Sequence, residues 1–257
     1  MPEAGTLVVV PCYNEASRFP KDRFLEFFAC TKDYRFLFVN DGSKDNTSEI
    51  LHSLQQHHSD RIDVLDLPQN SGKAEAVRQG FLKGMDSNAQ FLAYWDADLA
   101  TPLESLPLFL DIFRGRPNIE MVFGSRIKLL GRDIQRNELR HYLGRVFATC
   151  ASLVLRLAVY DTQCGAKMFR KTETLRHIFS QPFKSRWIFD VELIARYLHT
   201  VKVEGEINND SRIYELPLPV WRDIAGTKLK STDFFRAFVE LIQIYKTYRR
   251  DGRVVSK

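Results

Sequence analysis

Apolar positions in the first half of the chain fall into short continuous runs separated by stretches of helical spacing. Residues 6–10 and 36–39 are such runs, rich in β-branched and aromatic side chains, and Ile62, Val64, Leu65 and Leu67 and the apolar parts of 90–95 and 120–123 mark three more strands. An apolar run of this length suits a strand buried on both faces of a sheet. Between the runs, Phe24, Leu25 and Phe28, then Ile50, Leu51 and Leu54, then Ala74, Val77 and Phe81, and then Leu103, Leu106 and Leu110 recur at helical spacing. Asp45 is placed to cap the second of these helices. Strands alternating with helices imply right-handed βαβ crossovers, an α/β class and a mainly parallel sheet. Ligands of such sheets collect at the carboxyl ends of the strands, and each run ends in polar or charged residues.

The pattern changes after Arg126. Leu139, Leu143, Val146, Phe147, Cys150, Leu153, Val154 and Leu157 predict a long amphipathic helix, flanked by Arg132, Arg136, Arg140, His141, Arg145 and Arg156. It reads either as a core-packed helix with a solvated face or as a basic surface for anionic groups. Residues 166–169 predict a strand and 172–179 a helix. A further helix starts within 186–192, with Asp190 and Glu192 at the end where negative charge is favoured. Residues 201–207 and 212–218 read as a β hairpin turning through 208–210, and 221–229 as a loop. A last helix from Ser231 gathers Phe234, Phe235, Phe238, Leu241, Ile242, Tyr245 and Tyr248 on one side, before a basic tail. With no internal repeat or low-complexity linker, the expected organisation is one domain over 1–229 and an amphipathic basic extension over 230–257.

Composition narrows this picture modestly. A net charge of +5 favours acidic partners such as phosphate groups or anionic lipid. Cys12, Cys30, Cys150 and Cys164 form no Cys-x-x-Cys pair, which fits reduced thiols better than disulfides or a zinc site. No run of about 18 apolar residues predicts a membrane-spanning helix. The first residues lack the charged and apolar regions of a signal peptide. A cytoplasmic chain is the expectation.

The chemistry concentrates at Asp96-Ala97-Asp98, where the fourth apolar run ends in two carboxylates one residue apart. Such a pair can hold a hard divalent cation through oxygen ligands, or serve as acidic residues capping the next helix. Asn40-Asp41-Gly42-Ser43 on its own reads as a plain turn. No Gly-x-Gly-x-x-Gly follows the first run, which argues against a dinucleotide-dependent dehydrogenase.

Order and spacing of several motifs together carry more weight than any one. Residues 9–15 (Val-Val-Pro-Cys-Tyr-Asn-Glu), 39–43 (Val-Asn-Asp-Gly-Ser), 70–73 (Asn-Ser-Gly-Lys), 96–98 (Asp-Ala-Asp) and 124–126 (Gly-Ser-Arg) resemble family 2 glycosyltransferases of the GT-A fold. Residues 161–169, 186–192 and 221–229 resemble the dolichyl-phosphate β-glucosyltransferase branch, over about 7–229 of the chain. That branch usually carries an N-terminal membrane anchor, for which the first residues give no sign. Mannosyltransferase relatives place Gln where Ala100 stands, which argues against GDP-mannose as donor.

The resemblance implies an inverting, metal-dependent transfer of a hexose from a nucleotide sugar, with UDP-glucose expected, to a polyprenyl (dolichyl or undecaprenyl) phosphate. Asp98 would be the direct ligand of Mg²⁺ or Mn²⁺, and Asp96 would contact the cation's surroundings or the ribose. Pro11, Tyr13, Asn14, Glu15 and Asp41 resemble base- and ribose-binding groups, and Lys73 is placed to reach the nucleotide phosphates. Arg126, Arg140 and Lys228 are candidates for the acceptor phosphate, since guanidinium grips phosphate with defined geometry. Arg140 reads equally as part of a solvated helix face. Asp161 and Gln163 are candidates for orienting the sugar or acceptor. A peripheral contact with the cytosolic membrane face is expected, and no nucleic-acid partner. The alternatives are GDP-mannose as donor, a saccharide acceptor in surface-polysaccharide synthesis, which would need a general base such as Asp190 or Glu192, and a non-catalytic sugar-nucleotide-binding module.

Overall fold

The apolar runs of the first half form the strands of one sheet, with helices returning the chain between them. The computed structural model describes residues 5–135, 138–203, 212–224 and 231–249. In chain order these are β1 (Thr6–Cys12), α1 (Lys21–Cys30), β2 (Tyr34–Asn40), α2 (Thr47–His57), β3 (Ile62–Asp66), α3 (Lys73–Met85) and β4 (Phe91–Trp95). A 3₁₀ turn at Leu103–Ser105 leads into α4 (Leu106–Gly115), followed by β5 (Met121–Ser125) and β6 (Asp133–Gln135). The second half adds α5 (Glu138–Leu155), β7 (Ala166–Arg170), α6 (Glu173–Ser180), α7 (Phe189–Val203), β8 (Ile213–Pro217), β9 (Val220–Arg222) and α8 (Ser231–Arg249).

The seven-stranded sheet runs in the order β3-β2-β1-β4-β7-β5-β8. β1, β2, β3 and β4 are mutually parallel, and β5 is parallel to β8. β7 enters between β4 and β5 and is antiparallel to both. Parallel β6 and β9 form a separate two-stranded sheet. Alternation along each strand divides the core between the two faces. Val9, Leu37, Tyr94, Phe123 and Phe169 pack with Phe81, Phe179 and Leu193 of the helices on one side. Val8, Phe36, Phe38, Trp95 and Met168 pack with Phe24, Leu51 and Phe109 on the other.

Four expectations need correction. Residues 201–203 are the last turn of α7, with Val201 buried in the core, so no strand begins there, and the rest of the expected first hairpin strand and its turn, 204–210, lies outside the described residues. Its partner segment is β8, which pairs in parallel with β5 instead. β-branched residues are ambiguous in short runs, and packing of Val201 decides the matter. Among the described side chains of α5 the buried ones are Phe147, Ala148, Ala151 and Leu155, whereas Leu143, Val146 and Leu153 are exposed. On α8 the core receives Ala237, Leu241 and Ile244, while Ile242 faces outward. Residues 221–222, read as loop, pair with β6.

α3 approaches β1 closely enough that its glycine is required. A Cβ on Gly80 would stand 2.3 Å from Val9 Cγ1 and 3.0 Å from Val39 Cγ2. Both neighbours are buried strand residues with no room to retreat. Gly80→Ala is therefore expected to destabilise the fold by about 1–3 kcal/mol, the range for overpacked cores, measured as a lower urea midpoint with unchanged slope.

Candidate active site

The carboxyl ends of β1, β2 and β4 open on one side of the sheet, and their loops are stitched together by side chains. Pro11 lies in the last turn of β1, opposite Val39 of β2. The Ser43 hydroxyl accepts from the Asn14 backbone at 3.0 Å, and Asn14 Oδ1 accepts from the Lys44 backbone at 2.8 Å. Asn14 is in the left-handed region, φ 50°, a conformation asparagine tolerates. Thr47 Oγ1 accepts from the Glu15 backbone at 2.8 Å, while Asp45 accepts from the Ala16 and Thr47 backbones. Asp45 thus holds the start of α2 as expected, one residue ahead of the helix's own capping position.

Asp41 is not the open turn residue its motif suggests. Its carboxylate accepts from Asn70 Nδ2 at 3.0 Å, the Ser71 backbone at 2.7 Å and the Gly72 backbone at 2.8 Å. Burial still raises its pKa from the ordinary value, against the lowering effect of those backbone bonds. Asp41 thereby fixes the turn that delivers Lys73 at the first position of α3. The Glu15 carboxylate is likewise engaged, bidentately, by Arg18 at 2.5 and 2.6 Å. Glu15 chiefly raises the Arg18 pKa, with a smaller contribution from Asp98. The chain order of Glu15 and Arg18, three apart, was the available signal for this unpredicted cation.

Asp96 and Asp98 leave β4 before any helix starts. Pro102 precedes the 3₁₀ turn, and neither it nor Ser105 makes a side-chain cap. The helix-cap alternative is therefore set aside. Asp98 Oδ1 instead accepts from the Ala100 backbone at 3.0 Å, closing a turn in which Leu99 holds φ 53°. A left-handed leucine costs of order 1–3 kcal/mol and persists where surroundings over-determine it, often at functional sites. β9 supplies part of that constraint, since the Arg222 backbone donates to the Ala100 carbonyl at 3.0 Å. Burial first, and the Asp96 charge second, raise the Asp98 pKa. Lys73 Nζ forms an ion pair with Asp96 Oδ1. Desolvation would lower the Lys73 pKa, but Asp96 and then Asp190 more than reverse this.

Gly165 seals the other side of Asp96. Its carbonyl accepts from the Asp96 backbone at 2.9 Å. A Cβ there would stand 1.8 Å from Asp96 Oδ2. A cleft of about 480 Å³ lined in part by Asp98, Leu99, Arg23 and Arg222 opens beside the pair.

The acceptor-side candidates are less concentrated. Arg126 forms a fork with Asp161 at 2.6 and 2.7 Å and lies over the Trp221 ring at 5.3 Å. Burial lowers the guanidinium pKa and Asp161 more than offsets it, so the net direction is upward. Asp161 also accepts from the Arg126 and Gln163 backbones, and the Gln163 side chain reaches Thr162 Oγ1 at 3.4 Å. Arg140 falls on α5, with its side chain outside those described, and Lys228 lies outside the described residues. Asp190 and Glu192 are buried in pairs with Lys167 and Arg196.

The glycosyl transferase family 2 profile matches residues 7–175. A dolichyl-phosphate beta-glucosyltransferase of Trichomonas vaginalis is 30% identical over 96% of this chain and 72% of its own length. Those of Dictyostelium discoideum and Homo sapiens are each 33% identical over 86% of this chain and 68% of theirs. The chain belongs to glycosyl transferase family 2. Among solved structures, the glucosyl-3-phosphoglycerate synthase of Mycobacterium tuberculosis with Mn²⁺ and UDP superposes with a TM-score of 0.68, at 15% identity, covering 96% of this chain and 80% of that one. A Pyrobaculum calidifontis mannosyltransferase with GDP-Man and Mn²⁺ gives 0.61, at 17% identity, covering 98% and 67%. The family 2 transferase therefore has the GT-A fold.

The transferase's two carboxylates fit a divalent cation completed by its substrate. Among the described residues no cluster of three or more His, Cys, Asp or Glu could hold a metal alone. Mg²⁺ commonly takes one or two carboxylates and fills the rest of its octahedron with water and substrate phosphates. Burial first, and the Asp96 charge second, raise the Asp98 pKa, and a bound cation would act in the opposite direction.

Gly165→Ala must push Asp96 away from Lys73. Turnover is expected to fall on the order of 10²-fold, as for an ångström-scale misplacement, with a melting midpoint near wild type in the same preparation. Asp98→Asn removes like-charge repulsion and should raise the melting midpoint while abolishing Mn²⁺ binding and the turnover that depends on it. Because the Asp98 pKa is raised, wild-type Mn²⁺ affinity should fall on acidification before the pH reaches the ordinary carboxylate range near 3.9.

Proposed function

We propose that this transferase moves glucose from UDP-glucose to a polyprenyl phosphate with inversion at the anomeric carbon. The observation that carries the reading is the state of four other carboxylates around the site, Asp41 being held separately by the 70–72 turn. Glu15, Asp161, Asp190 and Glu192 each sit in an ion pair with Arg18, Arg126, Lys167 and Arg196. A sugar hydroxyl acceptor needs a general base in the transition state, and a carboxylate locked against a cation serves poorly. A phosphomonoester has a second pKa near 6 and is largely a dianion at neutral pH. It can attack the anomeric carbon without such a base. The names of the 30–33% identical relatives support the same acceptor class.

The donor half follows from charge. Asp98, with Asp96 beside it, would hold Mg²⁺ or Mn²⁺, and the cation supplies Lewis-acid neutralisation of the leaving nucleoside diphosphate. Lys73, held against Asp96 at the start of α3, would exchange that bond for one with a donor phosphate. Pro11, Tyr13, Asn14 and the Asp41-braced turn form the wall for base and ribose. The Arg126 fork is committed to Asp161, so it orients the acceptor side through that pair, with Arg140 and Lys228 as the proposed phosphate contacts. Ala100, standing where mannosyltransferase relatives carry Gln, favours UDP-glucose over GDP-mannose.

Contact with the lipid surface is the remaining requirement. No described helix is long and apolar enough to cross a membrane. α5 and α8 pack together, with the Phe147 and Phe238 rings 5.9 Å apart. Exposed Tyr142, Val146 and Leu153 on α5 and Val239 and Ile242 on α8 suit an interfacial face, and Arg156 and Lys246 are exposed on the same helical pair's ends. Such a face binds through apolar insertion plus attraction to anionic lipid. On this basis we infer a peripheral contact with a membrane surface, the cytosolic face being the expected side.

A transfer assay with Mn²⁺ and a short-chain polyprenyl phosphate tests the reading. UDP release from UDP-glucose should require the lipid phosphate and should be lost in Asp98→Ala. Turnover with GDP-mannose but not UDP-glucose would contradict the donor, and UDP release with a saccharide acceptor alone would contradict the acceptor.

A further inference from the structure

Lys167 lies on β7 in the middle of the sheet and is fully buried. It stands directly across from Tyr94 on β4 and Phe123 on β5, so its side chain shares their face of the sheet. Its ammonium donates to Asp190 Oδ1 at 2.7 Å, to Tyr94 Oη at 2.8 Å and to the Cys164 carbonyl at 2.7 Å. All three of its donors are therefore used. The Tyr94 hydroxyl donates to the same Asp190 oxygen.

Taking both charges out of water is costly, and a buried ion pair is weak evidence for stability. What the pair holds in place is more informative. On one side, the Cys164 carbonyl bound to Lys167 belongs to the turn whose next residue, Gly165, accepts from the Asp96 backbone. On the other, the Tyr94 ring lies beneath the Lys73 ammonium at 5.6 Å. The main chain behind Asp96 and the cation in front of it are thus both located from Lys167.

We propose that the Lys167–Asp190 pair is a positioning device for the cation site. It sets where the Asp96 carboxylate and the Lys73 ammonium stand without touching the donor. The inference rests on reading Asp96 and Asp98 as the cation–diphosphate site. It also gives Asp190 a role other than general base.

Lys167→Met alone leaves the Asp190 charge buried beside a tyrosine, and such a chain is expected to melt low or fail to fold. The decisive variant is the double substitution Lys167→Met/Asp190→Asn, which removes both charges. Mn²⁺ binding in the presence of UDP, followed by the paramagnetic resonance of free Mn²⁺ with the full chain, is the readout. The double variant should melt cooperatively near wild type and bind Mn²⁺–UDP about 10- to 100-fold more weakly, the usual effect of removing an outer-shell support. Wild-type affinity in the folded double variant overturns the positioning role and leaves the donor reading intact. Absence of Mn²⁺–UDP binding by the wild type overturns both. A double variant that does not melt cooperatively makes the pair a folding requirement and overturns the inference as well.

Discussion

Two carboxylates one residue apart, drawn partly out of water, repel each other, and much of the structure around β4 contains that repulsion. Asp98 carries the mark of it in a pKa raised by burial and by Asp96. Asp96 is contained from several sides: Lys73 pairs with its carboxylate, and Gly165 covers its flank and accepts its backbone N–H. The strained turn at Leu99 keeps Asp98 where it is, tied at its far end to β9. A site so built is incomplete as charge but complete as geometry, which is the condition under which a cation and a diphosphate bind together.

The remaining charges around the site are already matched. Arg18 with Glu15, Arg126 with Asp161, and Lys167 with Asp190 are each within 2.7 Å. Such pairs rigidify a site while adding little net charge. This distribution suits a reaction in which both substrates bring their own negative charge and the acceptor brings its own nucleophile. The enzyme's contribution is then orientation and preorganised charge rather than proton transfer. β7 is central to this economy, because its reversed direction brings the 161–165 turn back across the carboxyl end of β4.

Much of this was legible from residue patterns. Continuous apolar runs identify the buried parallel strands, because a strand covered on both faces has no polar side to show. The strand-end motifs identify the loops that face the ligand. Pairing of charges is where legibility stops. Nothing in Ala166-Lys167-Met168-Phe169 distinguishes a buried lysine from a solvated one, since its partners lie 23 and 73 residues away. Asp41 and Glu15 read as ligand-binding carboxylates, but the bonds of Asp41 to 70–72 are long-range, and the local i, i+3 pairing of Glu15 with Arg18 is a signal that the motif reading passes over. The face of α5 was misjudged for a related reason: Leu143, Val146 and Leu153 satisfy helical periodicity, yet packing buries only the edge with Phe147, Ala148, Ala151 and Leu155.

The central claim is that Asp96 and Asp98 hold a divalent cation together with the donor's diphosphate, with Lys73 released to a phosphate in the process. A crystal structure with Mn²⁺ and UDP tests it most directly. The account predicts a cation about 2.1 Å from an Asp98 oxygen, a distance usual for small hard cations, with diphosphate oxygens completing its shell and Lys73 Nζ against a phosphate. A nucleotide bound with its diphosphate away from this pair, or a Lys73–Asp96 ion pair that persists beside the bound cation, would contradict it.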